Sequence, residues 1–261
     1  MNLKRVAISL SFVTLLIYGG LLISAFYFFD VSTLKSVASK DKIFHAVWVS
    51  VSAASIATVF AVLLAVPGGY ALSRYHFRFK KGVDLMLELP MIVSPAAIGA
   101  LLLIFFQTPA GLYFRNHVVD VVYTFSGIVL AQLVTVLGIA TRMIKSVFDE
   151  IPVRYEQIAR TLGASPNRAF LKISLPLAKN GILYAIILTW AKAIGEFGAT
   201  ITLAGAMPMK TETLPTAIYM SLSSADIAGA VIVILMLFSI SMFVLAATRY
   251  FLSENKRDDR N

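Results

Sequence analysis

Two opposite charges lie within a long apolar stretch of the sequence. Lys192 and Glu196 are four residues apart in the run from Gly181 to Leu203, so a helix would place them on one face. They are the only charges that the sequence places deep inside an apolar run, where an ionised group should face protein or water rather than lipid. The pair could be a packing ion pair, an acid–base pair, or part of a polar pathway in which Lys192 offsets the charge of an anion and Thr200 adds a hydroxyl group.

The composition indicates a membrane protein. The chain has 261 residues, of which 58% are hydrophobic and 14% are charged, whereas about a quarter of the residues of a soluble domain are charged. It has no cysteine, which excludes disulfides, thiolate metal sites and cysteine catalysis. Its three histidines are isolated, and no glycine-rich phosphate loop occurs. We therefore predict no metal, no cofactor and no ATP hydrolysis by this chain itself.

The apolar runs predict a single all-α membrane domain over residues 1–261. The predicted spans number six and cover residues 6–29, 43–72, 85–106, 124–145, 181–203 and 226–248. We interpret the first as an uncleaved span, because it exceeds the roughly 7–15 residues of a signal-peptide core and has no small-x-small cleavage pattern before Asp30. Pro67-Gly68-Gly69 in the second span should kink the helix and let a neighbour approach closely.

The distribution of positive charge predicts the orientation of the spans. Of the 23 lysines and arginines, 17 fall on the side that holds both termini, counting Arg142 and Lys145 at the end of the fourth span; five fall on the other side, and one, Lys192, deep inside a span. An excess of positive charge marks the cytoplasmic side, so both termini should be cytoplasmic. The net charge of +9 then reflects topology rather than nucleic-acid binding. No internal repeat is obvious, which argues against a carrier built from inverted repeats.

The polar stretch 149–180 predicts two short helices between the fourth and fifth spans. Four apolar residues recur at helical spacing and share one face: Tyr155, Ile158, Ala159 and Leu162. Gly163 should end this helix, and Ser165-Pro166 should begin the next as its N-cap and first position. Pro176 should bend or end the second helix. The spacing alone would also fit an ordinary cytosolic loop with two helices.

This stretch resembles the cytoplasmic coupling loop of ABC importer permeases, the EAA loop. The residues that carry the resemblance are Glu156-Gln157-Ile158-Ala159, Leu162-Gly163-Ala164-Ser165, and then Phe170, Ile173, Leu175 and Pro176. Gln157 and Ile158 stand where the family usually has Glu and Ala, and Glu156 lies one place early. The segments GEFGAT, Gly195 to Thr200, and MKTETLP, Met209 to Pro215, resemble the molybdate and sulfate branch of these permeases.

The resemblance implies the type I ABC importer permease fold in a prokaryotic inner membrane, surrounded by lipid. It implies a homodimer with the route on its two-fold axis, two separate ATPase subunits, and an extracellular binding protein that captures the oxyanion. The implied substrate is molybdate or tungstate, with sulfate or thiosulfate as the alternative. The residues that it implies for coupling to the ATPase are Tyr155, Glu156, Gln157, Ile158, Ala159, Leu162, Gly163 and Ala164. Lys192, Glu196 and Thr200 become candidates for the translocation pathway.

Two other classes of function compete with this interpretation. A membrane enzyme could use Lys192 and Glu196 as an acid–base pair, but the spans offer no second set of catalytic groups. An ion channel or secondary carrier would leave the predicted coupling loop without a purpose.

Overall fold

All regular elements of the described part of the chain are helices. The computed structural model describes residues 3–30, Leu34 and residues 41–258; the loop cations Lys35 and Lys40 and the last three residues of the tail lie outside it. The α-helices are α1 Leu3–Phe26, α2 Asp41–Arg74, α3 Lys80–Ile92, α4 Pro95–Phe105, α5 Pro109–His117, α6 Phe125–Asp149, α7 Arg154–Thr161, α8 Pro166–Ala169, α9 Leu175–Ile194, α10 Gly198–Ala204, α11 Leu214–Ser223 and α12 Ile227–Asp258. A π-helical segment, Phe170–Ser174, joins α8 to α9.

The described residues contain five helical stretches that are long and apolar enough to cross a membrane, or six if the bent pair α3 and α4 counts as one span. The all-helical prediction is confirmed. The last helix, α12, begins close to the predicted sixth span but continues ten residues beyond it, to Asp258.

The core lies where α2, α6 and α9 pack together. Its buried residues are mostly alanine and branched aliphatics, including Ala54 and Ala61 of α2, Val136 and Ala140 of α6, and Ala185 of α9. Such small residues let helix backbones approach closely in a membrane. The Pro67-Gly68-Gly69 cluster follows the same rule, because a Cβ added to Gly69 would lie 2.8 Å from the backbone nitrogen of Lys145. The α2 helix continues through this cluster to Arg74.

The predicted span 85–106 is not one helix. The chain bends by 113° between α3 and α4. At the bend Ser94 is extended (φ −61°, ψ 140°), and its side chain accepts a hydrogen bond from Ala97 N–H at the start of α4. Pro95, the first residue of α4, has no N–H to donate to a preceding turn and disfavours a helical conformation at Ser94. The Ser94-Pro95 pair therefore ends one helix and begins another.

The predicted span 181–203 is also interrupted. Helix α9 ends at Ile194, and α10 begins at Gly198. Glu196 lies in the break, where its Oε1 accepts a hydrogen bond from Ala199 N–H at 3.1 Å. A carboxylate beside the first turn of a helix satisfies an unpaired N–H and interacts favourably with the helix dipole.

Pro176 does not end the helix that contains it, although the sequence prediction was that it would bend or end a helix. It lies in the first turn of α9, which continues to Ile194. Just before it, Leu175 N–H bonds to Phe170 C=O, five residues back, in the π-helical segment. This wider turn joins α8 to α9 where Pro176 has no N–H to contribute.

Candidate functional site

A buried carboxylate holds α7 against the rest of the protein. Glu156 accepts hydrogen bonds from Tyr70 Oη at 2.8 Å, Arg74 Nε at 2.9 Å and Ser174 Oγ at 2.6 Å. Tyr70 and Arg74 belong to α2, and Ser174 ends the π-helical segment. Glu156 therefore joins three separate parts of the chain, and we call these four side chains the Glu156 junction.

Further polar contacts extend the Glu156 junction to the end of α6. Arg74 donates from Nη2 to Ile151 C=O at 2.8 Å and from Nη1 to Ser73 Oγ at 3.0 Å. Ser73 in turn donates to Asp149 Oδ1 at 2.6 Å. Aromatic packing covers the other side, where the Tyr70 ring lies 4.4 Å from the Phe170 ring, centroid to centroid. The ends of α2 and α6 and the start of α7 thus form one connected unit.

The junction keeps Glu156 ionised. Burial alone would raise the pKa of its carboxyl group, but the hydrogen bonds from Ser174, Arg74 and Tyr70 and the charge of Arg74 outweigh burial and lower the pKa. Arg74 supplies the compensating charge, and its side chain is itself only 6% exposed. A buried ion pair of this kind is stable only while both partners remain hydrogen-bonded.

The opposite face of α7 is exposed, because no other part of the described chain covers it. Tyr155 is 43% exposed, Ile158 55% and Leu162 83%, whereas Ala159 is half-buried. The predicted apolar face therefore exists, but it points away from the protein, and Glu156 rather than this face attaches the helix. Gln157 is also exposed.

The end of α7 follows the sequence prediction. Gly163 has φ +88°, a conformation that favours glycine, and its N–H bonds to Arg160 C=O at 3.0 Å. Ala164 N–H reaches back to Ala159 C=O at 3.0 Å. Ser165 then caps the next helix by accepting a hydrogen bond from Arg168 N–H at 3.3 Å.

The candidate pathway residues separate into two environments. Lys192 Nζ lies 3.9 Å from Glu196 Oε2, but the Lys192 side chain is 49% exposed and that of Glu196 only 1%. Thr200 is fully buried, and its hydroxyl has no hydrogen-bond partner in the described structure. Of the three residues, Lys192 alone is open to the surface of the chain. Glu196 contributes to the helix break described above.

The sequence analysis missed an ion pair between two spans. Arg142 of α6 donates to Glu88 of α3, so charges also lie near the ends of two predicted spans, although not deep inside them. Glu88 lies in the predicted span 85–106 and Arg142 in the predicted span 124–145. Opposite charges in two apolar spans were the sequence signal for this ion pair. A second missed pair joins Lys42 Nζ to the buried Glu212 Oε1 at 3.2 Å.

Comparison with known proteins identifies the family. Residues 57–255 match the family described as binding-protein-dependent transport system inner membrane component. The chain is 34% identical over 182 residues to the molybdenum transport system permease protein ModB of Escherichia coli K12, covering 69% of this chain and 80% of ModB. It is 34% identical over 195 residues to the molybdate/tungstate permease protein WtpB of Methanocaldococcus jannaschii, covering 74% and 76%. To the sulfate permease protein CysT of Salmonella typhimurium it is 28% identical, covering 80% and 76%.

The fold agrees with this membership. A chain in the crystal structure of a bacterial alginate ABC transporter in complex with an alginate pentasaccharide-bound periplasmic protein superimposes with a TM-score of 0.75. The match covers 95% of this chain and 93% of that chain at 15% identity. The relatives are transport permeases rather than enzymes, which removes the intramembrane enzyme and the secondary carrier from consideration. The chain belongs to the family of binding-protein-dependent transport system inner membrane components, as the permease subunit of an ABC importer.

Proposed function

We propose that this permease carries molybdate or tungstate into the cell as a homodimer, driven by two ATPase subunits and loaded by an extracellular binding protein. The observation that carries the coupling part of the proposal is the position of α7. Its inner face is fixed by the Glu156 junction, and its outer apolar face, Tyr155, Ile158 and Leu162, is exposed. An exposed apolar face on a rigidly attached helix is suited to docking in a cleft of a partner protein.

The contacts of α7 suggest how motion would reach the membrane. ATP binding draws the two ATPases together and displaces each docked α7. Glu156 passes the displacement to α2 through Tyr70 and Arg74, and to α9 through Ser174. Packed helices and hydrogen-bonded side chains transmit such rigid-body shifts because they resist continuous deformation. The spans then alternate between outward-open and inward-open arrangements.

Lys192 is our candidate for contact with the anion. It is half exposed, its amine is not tightly held by Glu196, and it lies in the last turn of α9. Two copies related by a two-fold axis would present two such amines, which matches the charge of a tetrahedral dianion. One lysine per subunit is too few donors for a tight site, so selection would occur mainly in the binding protein.

Transport assays with the assembled system test this proposal. Permease, ATPase subunits and binding protein are reconstituted in vesicles, and uptake of molybdate, tungstate and sulfate is compared. We expect ATP-dependent uptake of molybdate and tungstate, and retention of the ATPase subunits when the permease is pulled down. Absence of ATPase association would contradict the coupling assignment.

Sulfate is the second candidate, because CysT is a sulfate permease relative at lower identity. Binding calorimetry of the partner binding protein with molybdate, tungstate and sulfate discriminates between the two. A clear preference for sulfate would overturn the molybdate assignment and leave the coupling assignment intact.

A further inference from the structure

An exposed segment rich in aromatic and basic residues connects α2 to α3 and includes the first two residues of α3. We call residues 75–81 the aromatic–basic turn; its sequence is Tyr-His-Phe-Arg-Phe-Lys-Lys. Phe77 is 42% exposed and Phe79 is 73% exposed, although phenylalanine has no polar group that would favour water. Arg78 and Lys81 are exposed beside them.

The turn is a formed structure rather than an open connection. Lys80 N–H bonds to Phe77 C=O at 3.1 Å, and Lys80 Nζ donates to Tyr75 C=O at 3.2 Å. The Tyr75 ring packs edge-on against Tyr70, with 5.8 Å between centroids. The backbone therefore holds Phe77 and Phe79 outward while the start of the turn is fixed to the Glu156 junction.

No ion pair compensates the charge of the turn in the described structure. The turn contains no acidic residue, and Asp84, one helical turn after Lys80 and Lys81, forms no ion pair with either. Among the described residues, neither Arg78 nor Lys81 has an ion-pair partner. The turn directly follows Arg74 of the Glu156 junction, so it lies at the same end of the bundle as α7. This end is the cytoplasmic side if α7 docks on an ATPase.

We propose that the aromatic–basic turn binds anionic phospholipid headgroups at the inner leaflet. Aromatic rings are enriched at the boundary between the hydrocarbon and the headgroups. Lysine and arginine near an anionic leaflet are attracted to it, and arginine can bind a phosphate with two hydrogen bonds. The leaflet assignment rests on the proposed function, whereas the lipid contact itself does not.

Tryptophan quenching tests the contact directly. Phe79→Trp is introduced into the permease assembled with its ATPase subunits, in vesicles of phosphatidylcholine with either brominated phosphatidylglycerol or brominated phosphatidylcholine. The signal of the unsubstituted transporter, which includes Trp48 and Trp190 of this chain, is subtracted. We expect Phe79→Trp to be quenched more strongly by the anionic lipid. The matched control is Leu16→Trp on α1, which is 71% exposed and should be quenched equally by both lipids.

A charge variant tests the cause of the preference. Arg78→Gln, Lys80→Gln and Lys81→Gln, combined with Phe79→Trp, should abolish the preference for the anionic lipid. Each basic residue near an anionic surface contributes about fivefold in affinity, equivalent to about 1 kcal/mol. Equal quenching of Phe79→Trp by both lipids would overturn the proposal. Absence of quenching in the assembled transporter, with quenching restored when the ATPase is removed, would assign the turn to the ATPase instead. Neither result depends on uptake, so the transported anion is tested separately.

Discussion

Two buried glutamates of this chain have contrasting surroundings. Glu156 accepts three side-chain hydrogen bonds of 2.9 Å or less, and its cation, Arg74, is buried with it. Glu196 accepts one backbone N–H, and its cation, Lys192, is half exposed with 3.9 Å between the charged atoms. The first arrangement fits the proposed coupling role of α7. In the second the cation is half exposed, as the proposed contact with an anion requires.

The two ion pairs should also differ in how much they contribute to stability. Removing one partner of a fully buried ion pair leaves an uncompensated charge, which is strongly destabilising. An ion pair with an exposed partner contributes little, because water screens it. The same charge types should therefore respond very differently to substitution in the two regions.

The largest effect is expected for Glu156→Ala. It leaves the Arg74 guanidinium buried without its carboxylate, at a cost of about 3 kcal/mol or more. Thermal unfolding of the purified permease should shift to lower temperature, and ATPase association should weaken. Glu150→Ala, at an exposed acidic residue close by, is the control and should change stability by less than about 0.5 kcal/mol. Equal effects of the two substitutions would contradict the junction.

Lys192→Met should act on transport rather than on assembly. Loss of the cation should slow uptake by roughly tenfold, equivalent to about 1.4 kcal/mol. Dimer assembly and membrane insertion, measured by size-exclusion chromatography and membrane fractionation, should survive. If assembly and uptake decline together, Lys192 is a packing residue instead.

Arg74→Lys should have an intermediate effect. Lysine keeps the charge but cannot reproduce the guanidinium contacts with Glu156, Ser73 and Ile151 C=O. A loss of about 1–2 kcal/mol in unfolding free energy is expected. Chemical denaturation monitored by circular dichroism measures this loss. An effect as large as that of Glu156→Ala would mean that the hydrogen-bonding geometry of the Arg74 guanidinium matters more than its charge.

The Glu156 junction should weaken in acid. Since the pKa of Glu156 is lowered in the folded protein, its contribution is complete above the ordinary glutamate pKa of about 4.3 and disappears as pH falls through the lowered value. The melting temperature, recorded at decreasing pH, should decline as the pH falls below about 4.3. In Glu156→Gln this part of the decline should be absent, and an unchanged profile would exclude Glu156 as its source.

Glu196→Gln should have the smallest effect. Glutamine retains an oxygen that can accept the Ala199 N–H, and the lost ion pair has an exposed partner. The change in melting temperature should be near the error of the measurement. A large destabilisation would mean that Glu196 contributes as much to stability as Glu156 does.

The sequence predicted the features that depend on local signals. The end of α7 at Gly163 and the N-cap at Ser165 follow from the conformational preferences of glycine and serine, and the structure has both. The shared apolar face of α7 follows from residue spacing, whereas its exposure is seen only in the structure. In these places neighbouring residues determine the structure.

Local sequence patterns do not show contacts between residues that are distant in the chain. Tyr70 and Arg74 lie 86 and 82 positions from Glu156, so nothing in the local pattern indicated that the carboxylate is buried. The charge of Glu196 within an apolar run predicts an ion pair or a pathway residue, whereas in the structure its carboxylate also accepts the Ala199 N–H at the start of α10. The bend before α4 had a local signal, Ser94-Pro95, but the continuous hydropathy of the segment outweighed it.

The proposed coupling requires Glu156 to fix α7 so that the outer face of this helix can dock on the ATPase. Because the chain has no cysteine, Ile158→Cys introduces a single reactive thiol on that face. Its rate of labelling by a maleimide is measured with and without the ATPase subunits, beside Tyr113→Cys on the exposed helix α5 as control. We predict strong protection of Ile158→Cys by the ATPase, no protection of Tyr113→Cys, and loss of the protection when Glu156→Ala is added. Unchanged labelling of Ile158→Cys in the assembled transporter would show that α7 does not dock on the ATPase through this face.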